Sequence, residues 1–193
     1  MPTLLSKVPL AVVIWLFPLA FLIHDGEEIA TVEWWMRTNG GALRDRLGRL
    51  KLAGRRSLAD SPLVRAVLAR AEETNTARFS AIVAGLFVGI CAAAALAASG
   101  SYLWVTGALI IFFVHIFTHL GQTLLARRYT PGVVTAVVIA LPYSVWALGR
   151  LLADGAVTWA TVWSSLPIGL AGVTALFVMG YALGRLLIRR GRA

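Results

Sequence analysis

Long apolar runs alternate with short polar ones along this chain, and the length of the runs decides the fold. Five stretches approach or exceed the roughly 20 helical residues that a hydrocarbon core requires. They lie at about 8–28, 79–98, 102–124, 132–151 and 157–184. The pattern predicts an all-α integral membrane protein: one helical-bundle domain over 1–193 with five transmembrane helices. Lys7 before an apolar run is reminiscent of a signal peptide, but no small-x-small cleavage pattern follows, so the first run is kept as a helix. With 59% hydrophobic residues against 14% charged, the chain carries more apolar surface than a soluble domain of 193 residues could bury. Mean hydropathy is +0.78.

Charge adds an orientation. Sixteen of the lysines and arginines fall between the first two runs, between the third and fourth, or after the fifth; Lys7 and Arg150 lie on the other side. By the positive-inside rule the N-terminus is outside and the C-terminus cytoplasmic, as in a multi-pass protein of the cell membrane. The pI near 11.0 is then explained by topology and by contact with membrane lipids, and gives no reason to expect nucleic acid.

The first cytoplasmic loop holds more than topology. Leu43, Leu47 and Leu50 recur at helical spacing with Arg44, Arg46, Arg49 and Lys51 around them. The segment 42–60 therefore reads as a basic amphipathic helix on the membrane surface, punctuated by Gly40, Gly41 and Gly54. Ser61-Pro62 supplies an N-cap and a first-turn proline for a helix leading into the second span. Pro18 and Pro142 fall inside spans, where they should kink the helix. Gly85 and Gly89, and Gly180 and Gly184, have the spacing of close helix contacts. The single Cys91 sits among alanines and packs.

Ionisable groups inside spans are where chemistry is expected. "FLIHDGEE" ends the first span: at about 100° per residue, His24, Glu27 and Glu28 share an arc of one face, with Asp25 at its edge and Glu33 opposite. "VHIFTHLGQ" in the third span puts His115 and His119 at i, i+4, with Thr118 and Gln122 on the same stripe. Taking roughly 1.5 Å per residue, His24 lies about 24 Å past residue 8, and His115 and His119 about 20 and 26 Å past residue 102. The second span offers Glu72, Asn75 and Arg78 on one face at the same cytoplasmic end. Three helices thus present polar groups at one level.

Left singly, such groups would cost several kcal/mol each. Either they satisfy one another, with His24 bonded to Glu28 and Arg78 to Glu72 or Glu27, or they hold an ion. The coincidence in depth favours a divalent metal, zinc or iron, with His24, Glu27, Glu28, His115 and His119 as candidate ligands. A carboxylate not used as ligand would be the general base, Glu27 or Glu28. Glu72, Asn75, Arg78 and Gln122 are candidates for supporting or substrate contacts.

The chain resembles the HXXEE family of integral membrane proteins in its His24-Asp25-Gly26-Glu27-Glu28 stretch, a later histidine at 115 or 119, and Tyr129-Thr130-Pro131-Gly132 in the position of a Tyr-x-Pro-Gly motif. The resemblance covers about residues 20–150 and leaves the fifth span outside. It implies that His24, Glu27, Glu28 and one of His115 or His119 form a functional set, and it implies no particular activity. Physically, Pro131 and Gly132 suit a tight entry into the fourth span. Tyr129 stands at the interface, with its hydroxyl in reach of the polar centre.

The leading expectation is a metal-dependent membrane enzyme acting on a lipid or other apolar substrate in the cytoplasmic half of the bilayer, hydrolysis ahead of oxidation. The alternatives are a divalent-cation or proton transporter, and a non-enzymatic accessory protein whose polar cluster fixes packing. Transit would need polar groups in the outer half, where the sequence has almost none. No phosphate-cradling glycine loop or Ser-His-Asp arrangement is present.

Overall fold

The computed structural model of the chain describes residues 7–49, 57, 61, 62, 64–66 and 76–190. Among these, five helices are long and apolar enough to cross a membrane. They are α1 (Leu10–Arg49), α2 (Thr76–Ala98), α3 (Leu103–Ala126), α4 (Val133–Ala153) and α5 (Trp159–Arg190, apolar as far as Gly184). The described residues make an all-helical membrane protein.

The main departure from the sequence-based expectation is α1. It continues as one 40-residue helix through Gly40 and Gly41 instead of ending near residue 28 and restarting near 42. Each glycine disfavours a helix by about 1 kcal/mol, and tertiary contacts offset that. Trp35 Nε1 donates to the Tyr129 carbonyl at 2.6 Å, Arg128 Nη1 to Asn39 Oδ1 at 2.6 Å, and Arg46 Nη1 to the Ala126 carbonyl at 3.0 Å. The far half of α1 is thereby clamped to the α3–α4 turn. The rest of the predicted amphipathic segment, 50–56 and 58–60, lies outside the described residues, as do Glu72 and Asn75. Where the Ser61-Pro62 start is described, the Arg65 N–H bonds the Ser61 carbonyl at 2.9 Å, as a helical turn requires.

The core is made by α1, α2, α3 and α4, with Val83, Ile90 and Ala94 of α2 buried in it. Val13, Phe17, Ala20 and Phe21 of α1 meet Leu109, Phe112 and Ile116 of α3, and Ala136, Ala140 and Ala147 of α4, all buried. Small alanines on α4 let it approach closely. Pro142 cannot donate to the turn before it, and the helix widens there into a π turn over Ala136–Ala140, the Leu141 N–H reaching back to Ala136. Tyr143, one residue after the proline, donates from its hydroxyl to the Val13 carbonyl at 2.9 Å.

α5 packs across α2 and α3 on the opposite side. Here backbones touch: a Cβ on Gly169 would lie 2.4 Å from the Gly107 carbonyl oxygen, and one on Gly180 would lie 2.7 Å from Ile82 Cα. The Gly180 contact matches the spacing argument, while the tighter Gly107–Gly169 crossing joins glycines outside the two pairs that glycine spacing singles out. The outward faces stay apolar: Trp15, Val88, Trp104, Val138, Trp159, Trp163 and Val178 are among the exposed large side chains, as a lipid-facing surface requires.

Candidate metal centre

His24 lies mid-way along α1, and the helix turns it, with Glu28 one turn on, toward α3. His115 and His119 point back from α3. One ligand atom from each of His24, Glu28, His115 and His119 lies within 4.8 Å of the others. The three imidazoles stand nearly perpendicular to one another, with ring centroids 4.8 Å (His24–His119), 4.4 Å (His115–His119) and 5.6 Å (His24–His115) apart. His24 and His119 are 0% and 1% exposed. Such a group could hold a metal ion.

The hydrogen bonds behind the rings decide which nitrogens face inward. His119 Nδ1 lies 3.0 Å from the Pro131 carbonyl, an acceptor only, so Nδ1 carries the proton and Nε2 a lone pair. That Nε2 is 2.9 Å from His115 Nε2 and 3.2 Å from Glu28 Oε1. Bare lone pairs and a carboxylate at these distances repel unless a proton or a cation lies among them. Tetrahedral ligands about 2.0–2.1 Å from a zinc ion stand roughly 3.3 Å apart, so modest side-chain shifts would bring the group onto one ion.

His24 is held differently. Its Nδ1 is 3.2 Å from Thr135 Oγ1, and Thr135 in turn donates from Oγ1 to Glu27 Oε2 at 2.6 Å. The hydroxyl proton is committed to the carboxylate, so Thr135 accepts from His24 Nδ1–H and leaves Nε2 without a proton. That Nε2 is buried and has no hydrogen-bond partner. A buried nitrogen lone pair with no donor is costly, and a cation at the cluster would satisfy it. The chain of His24, Thr135 and Glu27 has the form of a ligand histidine braced by a carboxylate, with a hydroxyl between them.

Glu27 is therefore not where the sequence put it. Both its oxygens are engaged away from the cluster: Oε1 accepts from the Tyr129 hydroxyl at 2.7 Å, Oε2 from the Thr135 N–H at 2.7 Å and from the Thr135 hydroxyl. It stands outside the four-residue ligand group, and of the two candidate bases only Glu28 faces the cluster. Tyr129 is tied to Glu27 and Thr31, and partial burial with the two nearby carboxylates raises its ionisation above the ordinary phenol value. It is held neutral, as a donor.

Gly132 explains the turn before α4. It adopts φ +81°, and a Cβ there would lie 2.8 Å from His119 Cε1 and 2.9 Å from Glu28 Cγ. Position 132 must therefore be glycine both for its backbone and for the two side chains pressed against it.

The other expectations fare unevenly. Arg78 lies on α2 against α5, its Cα 3.6 Å from where a Cβ on Gly184 would be, and is not part of the ligand group. Gln122 is exposed and lines a cavity of about 390 Å³ with Glu28, Trp35 and Pro131. Glu33, which faces away from the cluster, ties α2 to α1 by accepting the Thr76 N–H at 3.0 Å and its hydroxyl at 2.6 Å. Sequence reasoning missed Thr135 and the Pro131 carbonyl. A hydroxyl three residues after Pro-Gly, in the first turn of the next helix, was the available signal.

An apolar cavity of about 290 Å³ opens from the cluster between α1, α2, α3 and α5. Phe21, Phe79, Ile82, Leu86 and Phe112 line its walls, and Asp25, Glu28 and His115 its polar end. Asp25 is buried with Oδ2 unpartnered.

The described residues define a membrane protein with five long apolar helices and a largely buried histidine–glutamate group. The family model of proteins of unknown function with an HXXEE motif matches residues 15–147, and the chain belongs to that family. The match takes in His24, Glu27, Glu28, His115, His119 and Gly132, and omits α5. No curated protein and no solved structure matches the chain.

Proposed function

We propose that this protein is a metal-dependent membrane enzyme that hydrolyses a lipid or another apolar substrate entering from the bilayer. The observation that carries the reading is the convergence of three imidazoles, with the Thr135 hydroxyl, the Thr118 hydroxyl and the Pro131 carbonyl near the Nδ1 atoms of His24, His115 and His119, beside an apolar cavity that His115 and Glu28 line. His24, His115 and His119 hold the ion; three imidazoles suit zinc with one open coordination position, better than the mixed histidine–carboxylate set typical of non-haem iron. The metal, when bound, supplies Lewis-acid activation. Glu28 lines both the apolar cavity and the neighbouring cavity at Gln122, so it stands where substrate and water meet and acts as the general base.

The active end faces the cytoplasm, with the N-terminus outside, the C-terminus inside and the basic end of α1 at headgroup level. Outward from the cluster, Phe112 packs against His24, Phe17 and Phe21 with ring centroids 5.5, 5.5 and 6.0 Å apart. That aromatic layer argues against an ion path through the bundle and for chemistry at a closed-ended site.

Elemental analysis of protein purified without chelator tests this reading. The expected result is about one zinc per chain, lost in His24→Ala and His119→Ala but kept in Glu28→Gln, which should instead lower turnover of lipid esters or amides by about 100-fold or more. No bound metal, and none taken up on reconstitution, would overturn it.

A further inference from the structure

A second recess lies beyond the metal centre at the same end of the molecule. It has a volume of about 470 Å³, and its lining is Ala42, Arg46, Arg49, Arg127 and Arg128. Four of the five lining residues are arginines, and no carboxylate is among them. Two come from the far end of α1 and two from the turn after α3, segments distant in sequence that the fold brings together.

The convergence is enforced. Arg46 donates to the Ala126 carbonyl and Arg128 to Asn39 Oδ1, so each segment's arginine grips the other segment. Arg127 caps α3 in the left-handed conformation, φ 52°, with its N–H on the Thr123 carbonyl. That backbone region costs a non-glycine residue about 1–2 kcal/mol, and glycine is the residue usually found at this place after a helix. Arg46 is half-buried and Arg49, Arg127 and Arg128 are exposed, and four guanidinium groups around one concavity focus a positive potential there that attracts an anion. Guanidinium is also the group that matches phosphate oxygens in bidentate fashion.

We infer that the Arg46, Arg49, Arg127 and Arg128 recess is a binding site for a phosphate group. The recess shares no lining residue with the histidine–glutamate group, and at roughly 1.5 Å per residue Arg127 lies about 12 Å of helix past His119 and Arg46 about 27 Å past Glu28, so the recess is distinct from the metal centre and does not depend on the reading of that centre. It lies just past the end of α3 and beyond the apolar part of α1. The chemistry recognised is a phosphate monoester, carried by a lipid headgroup or by a soluble molecule.

Native mass spectrometry of the full chain in detergent, titrated with phosphatidic acid and with phosphatidylcholine, tests the site. The comparison is between Arg127→Gln/Arg128→Gln and a charge-matched pair, Arg44→Gln/Arg65→Gln, whose residues are exposed outside the recess. Phosphatidic acid should bind the wild type more tightly than phosphatidylcholine, and the recess pair should weaken it by about tenfold or more at roughly 1 kcal/mol per arginine. The control pair should change it less than about twofold. An unchanged thermal midpoint in the recess pair would show that the fold is kept; if that pair fails to fold, Arg49→Gln gives the same comparison from the other segment. Equal loss in both pairs, or equal binding of the two lipids, would overturn the site. Inorganic phosphate identifies the source: displacement of phosphatidic acid at millimolar phosphate assigns the recess to soluble phosphate esters, and resistance to displacement assigns it to a lipid headgroup.

Discussion

Gly132 and Gly169 are both positions where a Cβ has no room, yet they serve opposite ends. Gly169 faces backbone: a Cβ there would lie 2.4 Å from the Gly107 carbonyl oxygen, and nothing chemical lies between α3 and α5 at their crossing. Gly132 faces function: its neighbours are the side chains of His119 and Glu28. On the α5 side, close approach buys packing where lipid gives no hydrophobic drive between helices. On the α4 side, the same device delivers a carbonyl and a threonine to the histidines. The difference teaches that absence of a side chain can define a site as firmly as its presence.

Substitutions should separate the two sides. Gly132→Ala is expected to have the largest effect on the metal, weakening affinity by about 100-fold, the upper end of what loss of supporting contacts costs. The Cβ displaces His119 and Glu28 together, and competition with a chromophoric chelator reads the change. Thr135→Val keeps the shape of α4 but breaks the link from Glu27 to His24, and should weaken zinc by about tenfold in the same assay. A bundle that melted at lower temperature with unchanged zinc affinity in Thr135→Val would put Thr135 with the packing residues. Gly169→Ala should show the reverse pattern: destabilisation by about 1–3 kcal/mol from overpacking, seen in thermal or SDS unfolding, with zinc affinity of the folded fraction unchanged. Tyr129→Phe should have the smallest effect, below about threefold on zinc, because Glu27 retains its two bonds to Thr135.

The same division marks how far the sequence could be read. Apolar run length located five helices, with the bounds of α2, α3, α4 and the apolar part of α5 falling within a few residues, since a hydrocarbon core sets a minimum length that composition reveals. It failed for the end of α1, because Gly40 and Gly41 predict a break locally while the stabilising partners, Tyr129, Ala126 and Arg128, lie some ninety residues away. Helical periodicity gave His24, Glu28, His115 and His119 as facing groups. It could not separate Glu27 from Glu28, because adjacent residues on one arc differ by about 100° and only the position of α4 decides which meets the cluster. Thr135 was hidden for the same reason: its role depends on a turn whose path follows from Gly132. Of the arginine-lined recess, the sequence showed the arginines but not that α1 and the α3–α4 turn would gather four of them.

The central claim is that three histidines from two helices bind one metal ion. X-ray absorption at the zinc edge of the reconstituted protein tests it most directly. The account predicts a first shell dominated by nitrogen at about 2.0–2.1 Å, with the outer-shell scattering of three imidazoles, falling to two in His24→Ala if any zinc is retained. A shell of oxygen alone, or one that is the same in the variant as in the wild type, would contradict it.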